Sequence, residues 1–157
     1  MKYAKWLAQA EHDIGAAQAL QAAGHHEWAC FVALQAAEKA EKAYFFALGM
    51  EAPFQRGKDG HDLIKLSDAW PSSVRAAIPE LAEALARLNQ HAENTRYPHP
   101  GVSKARAPYL APHEDYEPGD SKQALEDARA VVDVCVNLAA EAKRFADGLG
   151  SVLGASA

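Results

Sequence analysis

A chain of 157 residues makes one ordinary domain and can bury roughly two-thirds of its unfolded surface around a single core. Apolar residues make up 49% of it, alanine dominates and β-branched residues are sparse, which points to helices and away from a sheet protein. The formal net charge of −5 excludes a global basic field for gathering polyanions, so a nucleic-acid site has to be local.

Tyr3, Trp6, Leu7, Ala10, Ile14, Ala17 and Leu20 recur every three or four residues, which predicts an amphipathic helix from about residue 2 to 22, closed by Gly24. The opening stretch MKYAKWLAQAEHDIG has no apolar signal core, and no apolar run reaches the roughly 18 residues of a membrane span. A cytoplasmic protein that does not enter a membrane is expected. From His26 to Leu48 the chain is apolar almost all round, as a central bundle helix should be, with Gly49 as its stop.

Gln35, Glu38 and Lys42 share one face of that second helix. The simpler account is an i, i+4 pair of Glu38 with Lys42 on a partly exposed edge; the alternative is the polar wall of a cleft or of a dimer interface. Cys30 and Cys135 sit inside apolar helical patterns without metal or redox spacing, and read as buried free thiols.

EAPFQRGKDG, residues 51–60, carries turn signals, and HDLIKLSDAW then reads as a short helix stopped by Pro71 and two serines. Asp62 suits the start of that helix, where His61 would hydrogen-bond a backbone group. Pro79 opens the next helix, whose stripe of Leu81, Leu85 and Leu88 continues to about Glu93.

Residues 95–119 hold five of the eight prolines, so no regular element is expected there, yet the stretch is longer than ordinary connections. Its charge is segregated: Arg96, Lys104 and Arg106 come first and could meet a phosphate, whereas Glu114, Asp115, Glu117 and Asp120 could not. Within it, Arg96 can fork onto a phosphate, Tyr97 can stack on a base and His99 can exchange a proton. Arg106 and His113, with Tyr109 between them, form a second and less defined pair. His12, His25, His26 and His91 form no metal-like cluster, and no metal or other cofactor is called for.

Asp120 and Gln123 resemble a capping box, after which Leu125, Ala128, Val132, Cys135, Leu138, Ala142 and Phe145 predict a last long helix over about 121–147. Residues 148–157 read as a flexible tail, which leaves a single domain over 1–147.

Taken together, WLAQAEHDIGAAQAL, GHHEWACFVALQAAEKAEKA, GHDLIKL and NTRYP resemble the HEPN domain family (higher eukaryotes and prokaryotes nucleotide-binding) in order and spacing, over about residues 3–147. The resemblance implies an all-α, up-and-down bundle of four to five helices that pairs into a two-fold homodimer, with a cleft lined by the residues after the penultimate long helix. Members of the family act as RNases, often as toxins controlled by a minimal nucleotidyltransferase partner, while others bind nucleotides or serve as non-catalytic modules. Catalytic members carry an arginine followed four to six residues later by a histidine, with a polar residue just upstream. Here Arg96 matches the arginine and Glu93 and Asn94 supply the polarity, but His99 follows after only two residues and Pro98 works against a continued helix.

Two functions are implied. The first is nucleotide or RNA binding with metal-independent RNA cleavage, His99 taking the 2′-OH proton and Arg96 stabilising the phosphorane, while Tyr97, Glu38, Lys42, His61, Lys104 and Arg106 line the binding surface. The second is a catalytically silent nucleotide-binding or interaction module.

Overall fold

The computed structural model describes residues 1–53, 58–100 and 109–154, and among these the architecture is an all-α bundle. Helix α1, Lys2–Ala22, and helix α2, His26–Ala47, fall where the periodicity predicts them. Both end in the same way. Gly24 (φ 81°) and Gly49 (φ 74°) take the left-handed conformation, and the next residue's N–H reaches back to Leu20 O (2.9 Å) and Phe45 O (3.0 Å). The short Ala23–His25 link folds α2 back along α1 as an antiparallel neighbour.

Helix α2 is the hub because it is small and apolar on most of its circumference. Ala29, Ala33, Ala36, Ala37, Ala40 and Ala43 are fully buried and let α1 and the last helix approach closely, while Leu34 and Phe45 fill the gaps. Each large side chain buried this completely contributes about 1.5–3 kcal/mol before conformational entropy is charged. Asp13 of α1, held by Lys39 of α2 at 2.7 Å, fixes the register of the first pair. Cys30 and Cys135 are free and buried, and burial pushes the Cys30 thiol up to about 12.

After the hub, and before the proline-rich stretch, come four short helices among the described residues: α3 (Leu63–Asp68), α4 (Ser72–Ala77), α5 (Leu81–Asn89) and α6 (His91–Asn94). A 3-10 turn, Lys58–His61, precedes them. Pro71 and the serines do stop α3, but they also start α4, a turn of helix absent from the sequence-based expectation. Pro71 precedes its first residue, and Val74 N and Arg75 N bond to Pro71 O at 3.0 and 3.2 Å. Leu81, Leu85 and Leu88 of α5 are buried as their stripe predicts.

The proline-rich stretch contains more regular structure than expected. His99–Pro100 (β1) pairs antiparallel with Tyr109–Leu110 (β2), followed by one turn of helix, α7, at Pro112–Asp115. Two-residue strands need only two or three local hydrogen bonds, and no periodicity can announce them. Helix α8, Pro118–Gly154, begins earlier and ends later than the predicted 121–147. Pro118 takes the first helical position and the Asp120 carboxylate accepts the Glu117 N–H at 2.8 Å, so the cap lies three residues upstream of the capping box read from sequence. No proline follows Pro118, so nothing in the chain breaks the helix before Gly154.

Helix α8 packs along α2 and also meets α1 and α5. A forked ion pair clamps it to α5: Arg87 Nε and Nη2 donate to the two Asp127 oxygens at 2.8 Å each. Ser121, fully buried at the start of α8, accepts from Gln21 Nε2 (3.1 Å) and lies 3.0 Å from His26 Nδ1, tying α8 to the α1–α2 corner. Phe145 departs from its predicted stripe and is exposed. No helix among the described residues is long and apolar enough to cross a membrane.

Candidate functional site

A cleft of about 730 Å³ opens between α2, the turn before α3, and the α5–α6 segment. Phe31 and Gln35 come from α2, His61 and Asp62 from the turn, Asn89 from the end of α5, and Arg96 from just beyond α6. Phe31 and Gln35 are one helical turn apart and therefore share a face.

The local fold sets the direction of Arg96. Thr95 is buried and its hydroxyl donates to His91 O at 2.6 Å, while Arg96 N and Tyr97 N bond back to Glu93 O at 3.0 and 3.3 Å. With Thr95 turned inward, Arg96 and Tyr97 are left facing out. Arg96 Nε donates to Ala92 O at 2.8 Å, and the guanidinium lies over Phe31, 5.2 Å from the ring centroid, and 5.4 Å from that of Tyr97. Its fork thus rests on aromatic faces, with the Nη groups unused by any described residue. Tyr97 is 62% exposed.

Glu38 and Lys42, expected as a pair on a partly exposed edge, are buried instead. Lys42 Nζ lies 2.6 Å from Glu38 Oε1, and Gln35 Nε2 donates to Glu38 Oε2 at 3.3 Å. Neither Glu38 nor Lys42 lines the cleft, and the ammonium is taken up by its carboxylate. Their effect on the cleft passes through His61. Its Nδ1 stands 3.1 Å from both Glu38 oxygens, and not on a backbone group as expected from the sequence. A carboxylate can only accept, so Nδ1 carries a proton and Nε2 of the neutral ring is left as the acceptor. The His61 side chain is 68% exposed.

Asp62 caps α3, accepting from Ile64 N (3.0 Å) and Lys65 N (3.3 Å). Asn89 joins this turn to α5: its Nδ2 donates to Asp62 Oδ1 at 2.8 Å and its Oδ1 accepts from Leu63 N at 2.9 Å. Beneath lies Glu41, fully buried, with neither oxygen hydrogen-bonded among the described residues. Burial, with Glu38 and Asp62 adding to it, holds its carboxyl well above the ordinary value of 4.5.

His99 is not among the residues lining the cleft. Strand β1 brings its Nε2 to 3.5 Å from Asp115 Oδ2, at the hairpin, three residues beyond Arg96 but on another element. Lys104 and Arg106, and with Arg106 its pairing with His113, fall outside the described residues. The structure therefore gathers Arg96 and His61 into one cleft, sets Tyr97 at its edge, and leaves His99, Glu38 and Lys42 off its walls. Phe31, Leu34, Asn89 and Gln90 are lining residues that the sequence did not point to. Projecting α2 as a helix from Gln35 would have found Phe31; Asn89 and Gln90 are brought there only by tertiary packing. Among the described residues no group of three or more His, Cys, Asp and Glu side chains gathers as metal ligands do.

Fold and cleft together define a class: a small helical bundle with a solvent-open polar cleft and an aromatic-backed arginine at its mouth. The chain belongs to the HEPN domain family, whose model matches residues 3–139. It is similar to TT1696 from Thermus thermophilus, known from a crystal structure, at 30% identity and TM-score 0.73 over 87% of this chain and 98% of that one. It also resembles ST0689, an archaeal HEPN homologue, at 25% identity and TM-score 0.64 over 87% and 97% of the two chains. No curated protein matches it.

Proposed function

We propose that this protein binds nucleotide or single-stranded RNA in the cleft headed by Arg96. The supporting observation is the Arg96 guanidinium lying over Phe31 beside an exposed Tyr97: a fork for a phosphate next to a ring on which a base can stack. Asp62 and Glu93 on the lining and a chain charge of −5 confine phosphate binding to the mouth. Calorimetric titration with nucleoside monophosphates and a short single-stranded RNA tests this. Saturable binding that Arg96→Ala weakens about tenfold or more supports it, since a lost charged hydrogen bond is worth about 1.5–3 kcal/mol; an unchanged isotherm removes it.

A second reading, metal-independent RNA cleavage, is favoured by the His61–Glu38 pair in the same cleft. His61 Nε2 would take the ribose 2′-OH proton, the oxygen would attack the adjacent phosphorus and the 5′-oxygen would leave, giving a cyclic phosphate, with Arg96 stabilising the phosphorane. His99 does not line the cleft that holds Arg96, which makes it the less suited base. Cleavage in EDTA lost in His61→Ala but kept in His99→Ala supports this assignment, and the reverse pattern refutes it.

A further inference from the structure

We propose that a second cleft, formed by α3, α4 and α5, binds a single-ring aromatic carboxylate. This cleft measures about 290 Å³ and shares no lining residue with the first. Its volume is at the foot of the roughly 300–1,000 Å³ range of small-molecule sites, which fits one ring and a short substituent. Trp70, Ile78, Leu81 and Leu85 make its walls mostly apolar.

The polar groups define the ligand's other end. Trp70 is only 3% exposed, and its indole N–H has no acceptor among the described residues, although Tyr44 braces the ring edge-on at 5.5 Å and 83°. A buried donor of this kind calls for an acceptor, and a water in so apolar a space would find few further partners. The second donor is Arg75, which faces Asp68 across 3.3 Å in a largely exposed pair. Exposed pairs of this length hold weakly, so the guanidinium can turn to a ligand carboxylate. The Asp68 carboxylate on the same lining is 64% exposed and stays hydrated when Arg75 turns, so the two donors, Arg75 and the Trp70 N–H, favour a ligand carboxylate while the apolar walls favour a flat ring.

The test is a titration of the full ¹⁵N-labelled chain followed at the Trp70 indole N–H signal, identified by its loss in Trp70→Phe. The probes are benzoate, benzamide and toluene. Benzoate should shift this signal saturably while those of Trp6 and Trp28 stay in place, and toluene should shift it far less. Ala82→Phe, at an exposed position on the cleft's rim, should abolish the response without unfolding the chain. Arg75→Ala should weaken benzoate about tenfold, the scale of one charged hydrogen bond, and leave benzamide unaffected. The proposal is overturned if Trp70 responds to none of the probes or to toluene as strongly as to benzoate. It is equally overturned if Ala82→Phe responds as wild type does, or if the signal moves with protein concentration alone, which would mean a second copy covers the cleft. None of these outcomes depends on nucleotide binding at the first cleft.

Discussion

Glu41 shows how one buried carboxyl shapes the cleft above it. Around it stand Glu38 and Lys42 on its own helix, Asp62 before α3 and Cys135 on α8. Burial first, and then the Glu38 and Asp62 carboxylates beside it, raise the pKa of Glu41 in the folded state. Because its folded pKa is raised, the folded chain binds the proton more tightly than the unfolded chain does. The stability this contributes is complete below the ordinary carboxylate range and is lost as pH rises from there towards the folded value. Glu41→Gln, which cannot ionise, is expected to flatten that decline. Thermal unfolding at a series of pH values should show the variant gaining on wild type as pH climbs; parallel curves would mean Glu41 is already charged in the fold.

Thr95 works at the same scale on the other side of the cleft. Its hydroxyl bond to His91 O keeps the residue inward and Arg96 outward. Thr95→Val keeps the shape and removes the bond, so it should cost about 0.5–1.5 kcal/mol in denaturant unfolding and also weaken nucleotide binding.

At the scale of elements, the Arg87–Asp127 fork decides how α5 sits on α8. Arg87 is partly exposed whereas Asp127 is buried, so the two truncations are not equivalent. Arg87→Ala leaves a buried carboxylate with Gln123 Nε2, at 3.1 Å, as its remaining side-chain partner among the described residues, and should lower the denaturant midpoint. Adding Asp127→Ala to it should recover part of that loss, and a double-mutant cycle measures the coupling.

The long helices were legible in the sequence because α1 and α8 each bury one continuous stripe, as Ile14 and Ala17 do in α1 and Val132 and Cys135 in α8, while α2 is apolar almost all round. The glycine stops at Gly24 and Gly49 were legible for a different reason, since a left-handed residue has few substitutes. Helix α4 and the β1–β2 pair were not, because elements of two to six residues depend on their neighbours more than on their own pattern. For the site, Arg96 and Tyr97 could be read from NTRYP, whereas the Glu38–His61 contact joins residues 23 apart and exists only once α3 has folded back. The placement of His99 beside Asp115 likewise depends on a strand too short to be signalled.

At the scale of the whole molecule, the surface beside the cleft is aromatic. Trp28 is exposed and meets Phe31 edge-on at 6.1 Å, so an aromatic surface continues outward from the cleft wall. We propose that a second copy covers it. Sedimentation should then give twice the chain mass, and Trp28→Glu should yield a folded monomer; a wild-type monomer at all concentrations would refute the pairing. With a net charge of −5, affinity for RNA should rest on one or two phosphate contacts and weaken only gently with salt.

The most direct measurement of the central claim is the affinity of a single-stranded RNA oligonucleotide for wild type, Arg96→Ala and Arg129→Ala side by side. Arg129 is a control guanidinium away from the cleft, paired with Glu11 at 2.6 Å. Binding that falls about tenfold or more in Arg96→Ala and stays at the wild-type level in Arg129→Ala is the predicted result. Equal affinities for all three proteins, or no binding by any, would contradict it.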